Sequence, residues 1–126
     1  MVHGSCHCGA TKFSLKSPPE TLTLCTCTLC SKRGALWAYY APEDVTFAAQ
    51  DDAIYIWNSN IVKHHFCPSC GCGTFSVSPV WTDGKPDLTK WRFGLNMRLL
   101  DDFDISVLPV IEVDGRNGNW YADVNA

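Results

Sequence analysis

The sequence lacks the features that would place it in a membrane or in a secretory pathway. Although 46% of its 126 residues are hydrophobic, no apolar run approaches the ~20 residues that a membrane-spanning helix needs. The first residues, from Met1 to Cys6, show neither the basic region nor the apolar core of a signal peptide. We therefore expect a cytoplasmic protein without a membrane partner.

Basic residues are few and scattered. The chain has ten Lys and Arg against thirteen Asp and Glu, a formal net charge of −3 at pH 7, and no basic cluster longer than Lys32-Arg33. Nucleic-acid-binding domains usually present a basic face, so we expect no nucleic-acid partner. Repeats, low-complexity segments and linkers are also missing, which predicts a single domain over residues 1–126.

Helix signals are scarce, and short strand signals dominate. Apolar and polar residues alternate over 12–16 and 21–24 on either side of a Ser17-Pro18-Pro19 turn, as expected for half-buried strands. Further strands are predicted at 35–41, 53–57, 61–66, 74–78, 91–98 and 107–113, with a hairpin turn at Asn58-Ser59-Asn60. Short helices are predicted at 28–33 and 99–103, and the Pro- and Gly-rich stretch 78–87 is interpreted as a long surface loop. The fold class is therefore all-β, built from stacked small sheets.

Cysteine is the residue type that is present in excess. The eight cysteines fall into three groups, Cys6-His7-Cys8, Cys25-Thr26-Cys27-Thr28-Leu29-Cys30 and Cys67-Pro68-Ser69-Cys70-Gly71-Cys72. Thiols one or two residues apart are poorly placed for a disulfide framework, but they suit a tetrahedral Zn²⁺ ion. In an extended segment, residues i and i+2 project to the same face, so Cys-x-Cys can offer two sulfurs to one ion.

Counting the thiols suggests a closed site and an open site. A structural zinc has four protein ligands, whereas a catalytic zinc typically has three and keeps one position open. One partition has a closed site of Cys6, Cys8, Cys67 and Cys70, an open site of Cys25, Cys27 and Cys30, and one residue, Cys72, left over. Gly71 is expected to supply the unusual backbone angles of a knuckle around the closed site.

Three other interpretations of the cysteines are open at this point. Cys72 could complete a second four-thiolate shell with the Cys25 group, which would give two structural zincs and no catalytic one. The Cys25 group could instead be a metal-free redox cluster. Eight cysteines could also form four disulfides in a secreted protein.

Five motifs together give the chain a resemblance to a known family. They are Gly4-Ser5-Cys6-His7-Cys8-Gly9-Ala10, Cys25-x-Cys27-x-x-Cys30 followed by Gly34, Phe66-Cys67-Pro68-x-Cys70-Gly71, Asn96-x-Arg98-x-Leu100-Asp101 and Asp114-Gly115-Arg116. With these motifs the chain resembles the glutathione-dependent formaldehyde-activating enzyme family, which shares its domain with centromere protein V. The resemblance covers most of the chain and implies a β-tent of stacked antiparallel sheets around a structural Cys₄ zinc.

The resemblance also implies the metal sites and the activity. It places the structural zinc on Cys6, Cys8, Cys67 and Cys70 and a second, catalytic zinc on Cys25, Cys27 and Cys30, with Cys72 outside the ligand pattern. The implied reaction is that of S-(hydroxymethyl)glutathione synthase, a carbon–sulfur lyase that joins the thiolate of glutathione to formaldehyde or reverses this step. The alternative is a non-enzymatic zinc-binding module with two structural sites that binds a partner or a thiol ligand.

A glutathione site needs cations for two carboxylates. Arg33 is the candidate nearest in sequence to the open cluster. Asn96 and Arg98 are the other predicted contacts, and Arg92 ranks behind them.

A proton donor is also needed, and the histidines are its candidates. His64 and His65 occupy adjacent positions of a predicted strand, so they face opposite sides of the sheet. At most one of them can therefore face a metal on a given side. Tyr39 and Tyr40 are interpreted as the core and surface residues of one strand.

Overall fold

The computed structural model describes residues 1–57 and 61–118, and strands account for most of the ordered elements in this part of the chain. In chain order the elements are β1 (Val2–Ser5), β2 (Lys12–Leu15), β3 (Leu22–Cys25), α1 (Thr28–Arg33), β4 (Trp37–Tyr40), β5 (Val45–Ala49), β6 (Ala53–Ile56), β7 (Lys63–Phe66), β8 (Gly73–Thr82), β9 (Lys85–Asn96) and β10 (Val110–Val113). Short 3₁₀ turns lie at Pro42–Asp44, Met97–Leu99, Ile105–Val107 and Gly115–Asn117. Within the described residues, no helix has the length and hydropathy to cross a bilayer.

The strands form two sheets of unequal size. The smaller sheet has the order β1-β2-β5, and the larger has the order β10-β3-β4-β9-β8-β7-β6. The all-β class is confirmed. One pair departs from the antiparallel expectation, because β10 runs parallel to β3 and places Val113 opposite Cys25.

The two sheets pack against each other around a hydrophobic core. From the smaller sheet come Phe13 and Leu15, which are 2% and 0% exposed, and from the larger come Phe75 and Leu95, which are 2% and 0% exposed. Phe47 of β5 joins them, with its ring centroid 4.9 Å from that of Phe75. Burying side chains of this size stabilises the fold by about 1.5–3 kcal/mol each.

The stretch 78–87, predicted to be a long loop, is a paired hairpin. β8 and β9 turn at Asp83 and Gly84, whose φ angles are +53° and +75°, as a tight two-residue hairpin turn requires. Pro79 lies at a shift of register between the two strands, where a residue without an N–H group is tolerated. The loop prediction was wrong because Pro and Gly occur here at a register shift and at a hairpin turn, where they are compatible with paired strands.

The two helix predictions have different outcomes. The prediction at 28–33 is confirmed by α1. The prediction at 99–103 is wrong, because only a 3₁₀ turn, Met97–Leu99, forms there. The backbone N–H of Asp101 donates to the His3 carbonyl oxygen of β1 at 2.9 Å, so it is not available to extend a helix.

The hairpin predicted from 53–57 and 61–66 is confirmed as the antiparallel pair β6 and β7. Its turn, Asn58-Ser59-Asn60, lies outside the described residues. The strand predicted at 107–113 is shortened to β10, because a 3₁₀ turn occupies its first residue.

Candidate metal centres and active site

Four thiols meet where the loops that follow β1 and β7 converge. The Sγ atoms of Cys6, Cys8, Cys67 and Cys70 all lie within 4.8 Å of one another. The Cys8 Sγ atom is 3.7 Å from that of Cys6 and 3.6 Å from that of Cys67. Four sulfurs bound at about 2.3 Å to one tetrahedral Zn²⁺ ion would be about 3.8 Å apart. The donor set and its spacing therefore fit a closed zinc site, which we call the four-thiol cluster.

Each of the two loops directs a backbone N–H group at a sulfur. Thr11 N donates to Cys6 Sγ at 3.4 Å, and Cys70 N donates to Cys67 Sγ at 3.5 Å. Such donors stabilise the charge of a thiolate. Gly71 has φ +83°, which confirms that a glycine supplies the left-handed backbone of this knuckle.

A second group of thiols lies where β3 leads into α1. The Sγ atoms of Cys25, Cys27 and Cys30 lie within 4.8 Å of one another, and all three residues are buried. Cys27 caps the helix, since its Sγ atom accepts a hydrogen bond from Cys30 N at 3.3 Å. Trp37 Nε1 donates to Cys30 Sγ at 3.4 Å. Over residues 1–57 and 61–118, no fourth Cys, His or carboxylate joins this three-thiol cluster, so a tetrahedral ion there would have three protein ligands.

Cys72 lies beside the four-thiol cluster and does not complete the three-thiol cluster. Its carbonyl oxygen accepts a hydrogen bond from Cys67 N at 2.9 Å, and its thiol interacts with that of Cys70. All eight cysteines are free. The geometry therefore supports neither the disulfide framework nor a second four-thiolate shell.

The three-thiol cluster cannot carry three charges without a cation. Hydrogen bonds from Cys25 and Cys30 lower the pKa of Cys27 to about 2. The same contacts with Cys25 and Cys27, together with burial, raise the pKa of Cys30 far above its usual range. One thiol thus ionises at the expense of its neighbours. A divalent cation would let all three ionise, so the donor set fits zinc.

The C-terminal part of the chain holds the loop that carries the three thiols. Thr26 N donates to the Val113 carbonyl oxygen of β10 at 3.0 Å. Arg116 Nε donates to the Thr26 carbonyl oxygen at 3.1 Å, and another guanidinium nitrogen of Arg116 donates to Ser31 Oγ at 3.4 Å. A single arginine therefore ties the cysteine loop to α1.

The three-thiol cluster lies on the face of the larger sheet opposite the core. Residues directly opposite one another on neighbouring strands share a face. The register forms one row of Tyr55, His64, Ser76, Gly94 and Tyr39 and a neighbouring row of Ile54, His65, Phe75, Leu95 and Ala38. The second row faces the core. Trp37 is two residues from Tyr39 on β4, so its contact with Cys30 places the cluster on the face of the first row, which we call the site face.

His65 belongs to the core. It is 8% exposed, and its ring stacks on Phe75 with centroids 4.1 Å apart. His65 Nδ1 is 2.5 Å from Asp52 Oδ2. Both contacts fix this histidine away from the thiols.

His64 faces the other way and lies half-buried on the site face. Burial lowers the pKa of His64, Arg33 lowers it further, and Cys27 acts in the opposite direction. The imidazole is therefore neutral at pH 7. Of the two adjacent histidines, His64 is therefore the one that shares a face of the sheet with the three-thiol cluster.

Arg33 follows the cluster on α1 and has no acidic partner among the described residues. Its guanidinium carbon lies 5.5 Å from the centroid of the Phe66 ring. The ion pairs found among the described residues involve other side chains. Arg33 therefore presents a free positive charge next to the three-thiol cluster.

Asn96 and Arg98 support the frame around the cluster. Asn96 is 6% exposed. It donates to the Gly73 carbonyl oxygen at 2.8 Å and accepts a hydrogen bond from Arg98 N at 3.2 Å. Arg98 Nε donates to the Gly34 carbonyl oxygen at 2.5 Å, at the end of α1. These contacts with the backbone favour a structural role for both residues over contact with a substrate.

Arg92, which the sequence ranks behind Asn96 and Arg98, lies on the same face of the sheet as the three-thiol cluster. It lies opposite Ser78 on the site face, with its guanidinium carbon 4.0 Å from the centroid of the Tyr39 ring. Burial raises the pKa of Tyr39 to about 12, Arg92 opposes this shift, and the cysteines of the cluster add to it. Because side chains alternate along a strand, the sequence already predicts that Arg92 and Asn96 lie on the same face of β9.

Comparison with known proteins places the chain in a family. The sequence model of the family described as glutathione-dependent formaldehyde-activating enzyme matches residues 1–101. The chain belongs to this family. The resemblance drawn from the cysteine motifs is therefore confirmed, and the family match ends before β10 and Arg116.

Two further proteins are similar to this family member. A Halomonas elongata protein named "Putative glutathione-dependent formaldehyde-activating enzyme" is 29% identical over 94 residues, which are 66% of this chain and 60% of that protein. The chain thus aligns with three fifths of that relative. A Rhodobacter sphaeroides protein of known crystal structure has a TM-score of 0.65 and 25% identity, with coverage of 86% of this chain and 98% of that one.

Proposed function

We propose that the protein is a zinc-dependent carbon–sulfur lyase of the S-(hydroxymethyl)glutathione synthase type. The observation that carries this proposal is the buried three-thiol cluster, to which the described residues contribute no fourth ligand. Family membership supports glutathione and formaldehyde as the reactants. A module with two structural zincs would need a fourth ligand at this cluster, and Cys72 is committed elsewhere.

We infer that each thiol cluster holds one zinc. The structural ion would be held by Cys6, Cys8, Cys67 and Cys70, and the catalytic ion by Cys25, Cys27 and Cys30. When bound to three thiolates, Zn²⁺ supplies a coordination position for a soft sulfur ligand and lowers the pKa of its thiol.

The reaction joins a thiol and formaldehyde to form an S-hydroxymethyl product. The carbon–sulfur bond forms, the carbonyl π bond breaks, and the thiol proton ends on the new hydroxyl oxygen. We assign this proton transfer to His64, because a neutral imidazole on the site face can accept the thiol proton and deliver it to the oxygen. Leu29, Trp37 and Trp57 pack at the cluster and exclude bulk water from it.

Arg33 is our candidate for binding one carboxylate of glutathione. Its guanidinium lies against Phe66, and none of the described acidic residues neutralises it. Asn96 and Arg98 keep the backbone around the cluster in place and are not needed as direct contacts.

We also propose that residues 1–126 form one zinc-binding domain that works in the cytoplasm on a small-molecule thiol. Both sheets share one core, which supports a single domain. All eight cysteines are free, as is typical of a reducing compartment.

The proposed activity predicts faster exchange between free reactants and adduct. Zinc-loaded protein is expected to accelerate the interconversion of glutathione plus formaldehyde with S-(hydroxymethyl)glutathione, as measured by two-dimensional exchange NMR at equilibrium. Treatment with a chelator should abolish the acceleration, and added zinc should restore it. Zinc in buffer without protein is the control. A rate equal to the spontaneous one would contradict the proposal and favour a non-enzymatic zinc module.

Replacing His64 tests the assigned proton transfer. His64→Gln keeps a similar volume but cannot accept a proton, so turnover is expected to fall about 100-fold. The wild-type rate should also fall as the pH drops below the lowered pKa of His64, since protonation removes the base, and the variant should lack this acid limb. His3→Gln, on the other sheet, is the control. An unchanged rate and pH profile in His64→Gln would remove His64 from the mechanism.

A further inference from the structure

Arg92 is a cation with one side-chain N–H donor, Nε, that none of the described residues accepts. Its Nε atom is buried and has no hydrogen-bond partner. In the part of the chain that the structure describes, no Asp or Glu forms an ion pair with it. Buried N–H groups in native proteins normally have an acceptor. The described residues therefore leave this donor without an acceptor.

The position of Arg92 relates it to the three-thiol cluster. Trp37 contacts Cys30, and Tyr39 lies two residues further along β4 on the same face, a distance of about 7 Å along a strand. Arg92 covers the Tyr39 ring. An extended peptide spans about 3.5 Å per residue. A carboxylate one or two residues away from a thiol can therefore reach Arg92 while the sulfur is at the cluster.

The sheet holds the Tyr39 ring in place beneath Arg92. A Cβ atom at Gly94, opposite Tyr39, would lie 3.1 Å from the Tyr39 ring and 2.8 Å from Ser76 Oγ. Only glycine lets the ring approach the sheet this closely. Tyr39 keeps 41% of its surface exposed, so a ligand can approach the pair of Tyr39 and Arg92 from solvent.

A groove of about 430 Å³ also borders Tyr39, but its charge is wrong for a carboxylate. Glu20 and Asp44 both line it, and like charges repel an anionic group. Near Tyr39, an anion is therefore favoured at Arg92 and not in this groove.

We propose that Arg92, held against Tyr39, binds a carboxylate of the thiol substrate and makes the site selective for carboxylate-bearing thiols over neutral ones. A guanidinium binds a carboxylate through two parallel N–H···O bonds, and no ion pair with a described Asp or Glu competes for this guanidinium. Arg92 acts on specificity, because it contacts the substrate away from the reacting sulfur. The inference rests on the proposed function and adds a second anion-binding residue to Arg33.

Equilibrium binding tests this subsite without turnover. Calorimetric titration of the zinc-loaded protein would compare glutathione with its diethyl ester, in which both carboxylates are esterified, and with 2-mercaptoethanol. Arg92→Gln is expected to weaken glutathione binding by about 10- to 100-fold and to leave the affinities of the two thiols without a carboxylate within about twofold. Lys90→Gln removes the same charge from an exposed position of β9 and should leave all three affinities within about twofold.

The outcomes separate specificity, structure and activity. Arg92→Lys keeps the charge but loses the planar fork, so it should recover part of the glutathione affinity. Equal weakening of all three thiols, unchanged glutathione binding in Arg92→Gln, or a wild type that prefers the diester would each overturn the inference. If the wild type binds glutathione selectively but fails to accelerate the exchange with formaldehyde, the proposed function fails and the Arg92 subsite stands.

Discussion

Cys67→Ser is expected to prevent folding or to lower the melting temperature severely. Cys67 is 0% exposed, and its Sγ atom lies 3.6 Å from that of Cys8. A serine hydroxyl does not replace a thiolate as a zinc ligand. A structural zinc site contributes on the order of 10 kcal/mol, comparable with the whole stability of a domain, about 5–15 kcal/mol. Thermal circular dichroism and metal analysis of the purified protein measure the effect, and one zinc per chain should be lost.

Cys72→Ser is the matched control, because Cys72 ends the same knuckle without entering the four-thiol cluster. Its unfolding free energy is expected to stay within about 1 kcal/mol of the wild type, with the same zinc content. If Cys72→Ser proved as damaging as Cys67→Ser, the partition of the cysteines into four, three and one would be wrong.

Cys27→Ser is expected to lower turnover by about 1,000-fold or more while the fold is retained. Removing one of three thiolates takes away metal-dependent stabilisation of the transition state, which is worth several kcal/mol. Serine is a good N-cap residue, so it can replace Cys27 Sγ as the acceptor for Cys30 N at the start of α1. The variant therefore separates the loss of the ligand from the loss of the cap. Exchange NMR measures turnover, and circular dichroism with metal analysis measures fold and zinc content.

Two comparisons sharpen this experiment. Cys27→Ala removes ligand and cap together, so it should be about 1 kcal/mol less stable than Cys27→Ser at a similarly low turnover. Cys72→Ser should keep the wild-type rate. A Cys27→Ser protein with full turnover would rule out the three-thiol cluster as the reaction site, and a change in stability alone would favour the non-enzymatic module.

The grouping of the cysteines was accessible from sequence because ligand spacing is a local property. Cys67-x-x-Cys70 and the pair Cys6 and Cys8 each occupy one short loop, and the structure brings these loops together. The positions of the histidines, in contrast, depend on contacts between distant segments of the chain. Alternation predicted that His64 and His65 face opposite sides, but the assignment of sides depends on Phe75 and Asp52, which come from other segments of the chain.

Other features depend on pairing between distant strands. The parallel pairing of β10 with β3 joins residues far apart in sequence, and no periodicity within either strand specifies its partner. The contact of Arg92 with Tyr39 likewise depends on the register of β9 against β4. The hairpin at Asp83-Gly84 is a different case, because that dipeptide is itself a strong turn signal.

Because β3 pairs with the late strand β10, the partners of the two thiol clusters are synthesised at different times. Chains emerge from the ribosome with the N-terminal part first, and the four-thiol cluster has all its sulfurs once Cys70 has been made. The loop around Thr26 must wait for its partners Val113 and Arg116. A nascent chain therefore has the thiols of both clusters before the hydrogen bonds that hold the Cys25 loop can form. The geometry of the three-thiol cluster is therefore fixed in one of the last steps of folding.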